Sequence, residues 1–84
     1  MTYEIKISRG AVKQLASLPR SDYIAIKLKI LSLSNDPRPD GVKKLKGRSG
    51  YRIRQGKYRI IYNIHDKTLT VIVLRVQHRK DVYL

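Results

Sequence analysis

The order of sequence patterns in this 84-residue chain predicts an α+β fold, β-α-α-β-β-β, with a two-helix hairpin packed on one face of a small, mostly antiparallel sheet. Three observations carry that prediction. A period-two segment opens the chain, two stretches with helical spacing follow, and three strand-like runs divided by turn residues close it. At this length the chain is expected to form one domain over residues 1–84, with a single modest core and no room for separate catalytic and binding domains.

TYEIKIS, from residue 2, alternates apolar Tyr3, Ile5 and Ile7 with polar Glu4 and Lys6, the pattern of a half-buried strand. Ser8 is placed to cap a helix in which Val12, Leu15 and Leu18 share a face, ended by Pro19. Ser21 or Asp22 is placed to cap a second helix. There Tyr23, Ile26, Ile30 and Leu33 form the apolar stripe, Ile24, Leu28 and Leu31 widen it, and Asn35-Asp36-Pro37 stops it. Residues 35–50 read as a loop carrying Lys43, Lys44, Lys46 and Arg48. Strands are predicted over 51–55, 58–64 and 69–76, separated by Gln55-Gly56-Lys57 and by His65-Asp66-Lys67.

Nineteen Lys and Arg against six Asp and Glu give a formal charge of +13 and a pI near 10.4. Such a surface repels itself, so it points to a polyanionic partner: nucleic acid first, an anionic membrane surface second. No apolar run approaches the roughly 18 residues of a spanning helix, and MTYEIKISRG lacks the apolar core of a signal peptide. A cytoplasmic protein is therefore expected. The chain has no cysteine and only His65 and His78, which excludes disulfides and thiolate ligands and argues against zinc. No metal or other cofactor is expected.

With Gly56-Lys57 as a two-residue type II′ turn, Arg54 sits opposite Arg59 and Arg52 opposite Ile61. Opposed side chains share a face, so Arg52, Arg54 and Arg59 converge on one side while Tyr51, Ile53, Tyr58, Ile60 and Tyr62 occupy the other as core. Close like charges cost a few tenths to ~1 kcal/mol per pair. Two readings follow: a solvated outer face, or a site that an anion fills. Arginine at all three positions favours the second, because a guanidinium fork grips phosphate oxygens in bidentate fashion. A turn at Asp66-Lys67 followed by an unbroken strand puts His78 on Arg59's side and leaves the face of Arg75 unassigned.

YRIRQGKYRIIYNI followed by LTVIVLRVQHRKDVYL resembles the second half of the RelE/ParE toxin superfamily, with its Tyr-Arg-x-Arg hairpin, Tyr-Arg-x-x-Tyr strand and terminal His-Arg-x-x-Val-Tyr. KKLKG, the two helices and the opening strand match the same pattern, so the resemblance covers nearly the whole chain. It implies a RelE-like fold and the toxin of a type II toxin-antitoxin pair. In the RelE branch such a toxin cuts messenger RNA in the ribosomal A site; in the ParE branch it binds and inhibits DNA gyrase without cutting RNA.

For the RelE branch the implied chemistry is metal-free attack of a ribose 2′-hydroxyl on the adjacent phosphorus, leaving a 2′,3′-cyclic phosphate and a 5′-hydroxyl. By motif, Arg52 and Arg54 fall at basic active-site positions, Arg59 at that of a phosphate-binding arginine, Arg79 at that of the arginine ending the last strand, and Tyr83 at that of the C-terminal tyrosine. The best-known RelE pattern has lysines at the two hairpin positions. Arginine stays charged, so proton acceptance cannot move onto Arg52 or Arg54. His78, Tyr83 and Lys46 are the groups left to exchange a proton, although His78 has a structural reading as a strand-end hydrogen-bond partner and Tyr83 one as a packing anchor. Lys43, Lys44, Lys46 and Arg48 are expected to bind ribosomal RNA through its phosphates. The implied partners are the ribosome with its messenger RNA and a cognate acidic antitoxin that covers the basic face in a hetero-oligomer. A plain RNA-binding module that has lost its chemistry is the third reading.

Overall fold

Ser8 is where strand becomes helix, and its side chain serves both. The hydroxyl oxygen accepts from the Ala11 N–H at 3.2 Å, capping the first helix, while its proton goes to the Leu74 carbonyl at 2.9 Å. The computed structural model describes residues 2–79 and orders them as β1 (Glu4–Ile7), α1 (Arg9–Ala16), α2 (Arg20–Ser32), β2 (Lys43–Lys44), β3 (Tyr51–Gln55), β4 (Tyr58–His65) and β5 (Thr70–His78). The sheet runs β1-β5-β4-β3-β2; β1 lies parallel to β5 and the other neighbours are antiparallel. The α+β class with a helical pair on one side of a mostly antiparallel sheet holds. No helix among the described residues is long and apolar enough to cross a membrane.

The helices differ in detail from the expectation. α1 buries Ala11 and Leu15, while Val12 is 51% exposed, so the packed stripe is shifted by one residue. Only Ser17, Leu18 and Pro19 separate the helices, and Pro19 takes the N-cap position of α2 with no side-chain cap; Ser21 and Asp22 lie inside the first turn. A proline there loses nothing, since its missing N–H would be unsatisfied at a helix start. Ile26, Ile30 and Leu33 are buried as the spacing requires, but Ile24, Leu28 and Leu31 face outward. A helix lying on a sheet buries one stripe, and these three lie beyond its width.

Between sheet and helices the core gathers Ile53, Ile60, Tyr62, Val71, Val73 and Val76 against Ala11, Leu15, Ile26, Ile30 and Leu33. Tyr62 is fully buried, and its hydroxyl is satisfied by donating to the Pro37 carbonyl at 2.7 Å. Burial pushes that phenol up to about 12. Pro37 belongs to the segment after α2, which Arg38 pins down: its guanidinium donates twice to Asp66, at 2.9 and 3.3 Å, and lies 5.5 Å over the Tyr51 ring. Tyr3 adds a third bond to Asp66 at 2.7 Å. The Arg38 and Tyr3 bonds hold the Asp66 carboxyl below its usual range.

β1 is shorter than β5 and pairs only with its Thr70–Val73 half. Beyond that point α1 takes over. Ser8 satisfies the Leu74 carbonyl, and the Gln14 side-chain oxygen accepts from the Val76 N–H at 2.7 Å. Side chains of one helix thus complete the edge of a strand that has outrun its partner.

Candidate functional site

Antiparallel pairing turns the arginines of the hairpin into rows. Gln55 pairs with Tyr58 around Gly56-Lys57, with φ of +59° at Gly56 and a negative φ at Lys57, as a type II′ turn requires. Arg54 is then opposite Arg59, and Arg52 opposite Ile61. Pairing to β2 and β5 extends these into Lys43–Arg52–Ile61–Arg75 and Arg54–Arg59–Gln77 on the face turned away from the helices. Tyr51, Ile53, Tyr58, Ile60 and Tyr62 take the helix side. Neither row contains a carboxylate.

Arg59 stands apart from its neighbours. It is 4% exposed, and its Nε–H has no hydrogen-bond partner among the described residues. The one ion pair among those residues is Arg38–Asp66, on the helix side of the sheet. A desolvated guanidinium beside another arginine is unfavourable by itself, since buried cations normally sit against an acid. An anion delivered between Arg54, Arg59 and Arg52 would relieve both the orphaned donor and the repulsion.

Around this centre the remaining candidates are spread unevenly. Lys43 and Lys44 form the short edge strand β2, a pairing not expected within the segment 35–50 read as loop, and with Leu45, Lys46 and Arg52 they line a cavity of about 420 Å³. Arg48 is exposed in the turn that follows, which Gly50 closes by accepting from the Leu45 N–H at 3.0 Å. The Arg79 N–H donates to the Lys57 carbonyl at 2.6 Å, so that residue leaves β5 at the hairpin tip, the Arg54–Arg59 end of the site. Tyr83 lies outside the described residues.

His78 requires a correction. It pairs with Tyr58, and the two rings meet edge to face at 5.1 Å on the helix side, away from Arg59. The cause is a β-bulge. From His65↔Thr70 to Tyr62↔Val73 the register is regular, but Ile61 then pairs with Arg75, leaving Leu74 as the extra residue. One inserted residue exchanges the two faces of everything after it. The turn is also longer than expected, running from Asp66 to Leu69. Arg75, whose face the sequence left unassigned, and Gln77, not singled out from it, thereby join the arginine face. A signal for this was present: core positions Val71 and Val73 are followed by Val76, an odd step in a period-two pattern.

Chemically, the face supplies fixed positive charge and bidentate donors. Its rows hold no group that exchanges protons near neutrality, because arginine stays charged.

Comparison with known proteins shows the family of the chain. Residues 5–83 match the model of the ParE toxin of type II toxin-antitoxin systems, parDE. The chain is 33% identical over 85 residues to toxin RelG of Mycobacterium tuberculosis, an alignment covering 99% of this chain and 98% of RelG. Among solved structures it is similar to RelE in the archaeal RelE-RelB complex of Pyrococcus horikoshii, with TM-score 0.84, 35% identity and coverage of 94% and 97% of the two chains. The isolated RelE toxin of E. coli superposes with TM-score 0.78 at 27% identity, over 96% of this chain and 90% of that one. Fold and near full-length matches converge: the chain belongs to the ParE toxin family of type II toxin-antitoxin systems, within the RelE/ParE superfamily and on its RelE-like side.

Proposed function

We propose that this toxin is a ribosome-dependent endoribonuclease that cleaves messenger RNA in the A site. The 2′-oxygen attacks phosphorus, the bond to the 5′-oxygen breaks, and the products carry a 2′,3′-cyclic phosphate and a 5′-hydroxyl. The observation behind this reading is the buried Arg59, whose Nε–H has no partner among the described residues, set beside Arg54 in a row without carboxylates. Charge accumulates on the phosphoryl oxygens as the 2′-oxygen adds, and donors already fixed there need no reorganisation. Arg59 is the phosphate-holding residue, Arg54 and Arg52 flank it, and Arg79 approaches from the hairpin tip. Proton transfer falls to Lys46 or Tyr83, since His78 faces the helices. Lys43 and Lys44 anchor the surrounding RNA through phosphates, and Arg48 contacts the RNA beside them.

Purified protein, stripped of any bound metal with EDTA and then exchanged out of the chelator, should cleave messenger RNA on ribosomes with an empty A site. Loss of one preorganised donor typically costs about 2.7–4 kcal/mol of barrier, so Arg59→Ala should lower the rate roughly 100- to 1000-fold. Full activity in Arg59→Ala and Arg79→Ala would remove the site assignment. The ParE description of the matching family favours a second reading, a toxin that inhibits gyrase without cutting RNA. Inhibition of supercoiling with intact RNA would select it.

A cognate antitoxin follows under either reading. The Pyrococcus horikoshii relative is in a complex with RelB, and a net charge of +13 suits an acidic inhibitor held in a hetero-oligomer.

A further inference from the structure

The arginine face contains one apolar side chain in the middle of its longer row. Ile61, 6% exposed, lies between Arg52 on β3 and Arg75 on β5. It opens into a cavity of about 290 Å³ whose other apolar walls are Leu45 and Leu74 and whose polar walls include Arg48, Ser49 and Arg75. Nothing in phosphate binding uses an apolar floor. Nor does stability account for two exposed arginines beside it, because neither makes an ion pair among the described residues.

An apolar surface between two guanidinium groups matches a nucleobase, which stacks on flat cations and on aliphatic carbon while its edge meets hydrogen-bond donors. Position supports the same occupant. Ile61 is two residues from Arg59 on the same face of β4, a step of roughly 7 Å. A phosphate held at Arg59 therefore brings the base of a neighbouring nucleotide to Ile61. The β5 bulge is what supplies two of the walls, Leu74 and Arg75, and the Ser8 hydroxyl holds the bulge by its bond to the Leu74 carbonyl.

We propose that Leu45, Ile61 and Leu74, with Arg48, Ser49 and Arg75, form a base-binding subsite that receives the nucleotide next to the cleaved bond and sets the preference of the toxin among codons. The proposal rests on the ribonuclease reading above. Arg48 and Arg75 sandwich the base, and the Ser49 hydroxyl contacts its edge. These residues are specificity determinants; the phosphate remains with Arg59.

The test pairs abasic RNA with protein variants. Ribosomes are programmed with messages in which each A-site nucleotide in turn lacks its base, and cleavage is timed with wild type, Arg48→Ala, Arg75→Ala and Ser49→Ala. All three substituted side chains are exposed, and thermal melting verifies each fold. Wild type should lose about 10- to 100-fold in rate at one position only, as loss of a stacked base typically does. Arg48→Ala or Arg75→Ala should erase most of that penalty, and Ser49→Ala should alter the base preference at the same position. If wild type cuts normally but the abasic penalty is equal in wild type and both arginine variants, the subsite is overturned and the ribonuclease reading stands. If wild type cuts no RNA on ribosomes, the ribonuclease reading fails and the subsite fails with it.

Discussion

Replacing Arg59 with methionine should raise the stability of the protein while removing its activity. The side chain is 4% exposed, its Nε–H has no hydrogen-bond partner among the described residues, and Arg54 lies directly across the ladder. Leaving a buried donor without a partner costs about 1–3 kcal/mol, and more when the group is charged. An opposed like charge adds roughly 0.2–1 kcal/mol. Methionine keeps much of the aliphatic volume and bends to fill the remainder, so little packing is lost. A net gain of about 2 kcal/mol is expected, which for a chain of this size raises the melting temperature by roughly 8–16 °C.

The assay is urea and thermal unfolding of the two proteins at matched ionic strength, followed by titration with inorganic sulfate. A bound anion stabilises only the form that holds it, so sulfate should raise the wild-type midpoint well beyond that of Arg59→Met. A variant that melts below wild type by more than about 1 kcal/mol would mean that Arg59 is an internal structural cation. That result would refute the inference of a site built at the expense of stability.

Other substitutions test the frame around the site. Gly50 has φ of +125°, and a Cβ there would lie 3.1 Å from both Asn63 Oδ1 and Leu45 Cδ1; Gly50→Ala should cost about 1–3 kcal/mol in urea unfolding. Gln14→Ala leaves the Val76 N–H without its acceptor, and a loss of about 1–2 kcal/mol with faster amide exchange at Val76 is expected. Asp66 is held ionised by Arg38 and Tyr3, so its folded pKa lies below the unfolded one. The stability it contributes is complete above the unfolded value and declines as pH falls through the folded value, and Asp66→Asn should flatten acid unfolding in that window. Tyr62 behaves in the opposite sense: with its phenol pushed up to about 12, stability is intact below the ordinary value and falls as pH rises from there toward about 12. Tyr62→Phe should reduce that alkaline slope in circular-dichroism titrations, leaving the smaller part set by the raised Tyr3 and Tyr58 phenols.

Much of this molecule was legible in its residues because the relevant rules are local. The hairpin register follows from Gly56-Lys57, and with it the convergence of Arg52, Arg54 and Arg59 and the burial of Tyr51, Tyr58 and Tyr62. Helix existence followed from spacing, but the packed stripe did not: Val12 and Ala11 are both plausible contacts until the crossing of α1 over β5 is known, and the small Ala11 is the one that permits close approach. β2 has only two residues and no periodicity to detect, so Lys43 and Lys44 became strand through pairing with Arg52 and Tyr51 alone. Arg59's burial was also illegible, since alternation assigns a face and not a depth.

The faces of β5 follow from which error the core tolerates. With the register of the Thr70 end continued, Ile61 would meet Leu74, Ile60 would meet Arg75, and Arg59 would meet Val76. Arg75 would then enter the apolar layer beside the fully buried Ile60, while Val76 would face outward. An uncompensated buried charge costs several kcal/mol; a bulge leaves only one residue's backbone unpaired, and here Ser8 satisfies the Leu74 carbonyl from outside the ladder. The bulge is therefore the cheaper solution for folding. It also sends Arg75 and Gln77 to the side that already carries Arg52, Arg54 and Arg59, so a single packing constraint on the helix face determines the composition of the opposite one.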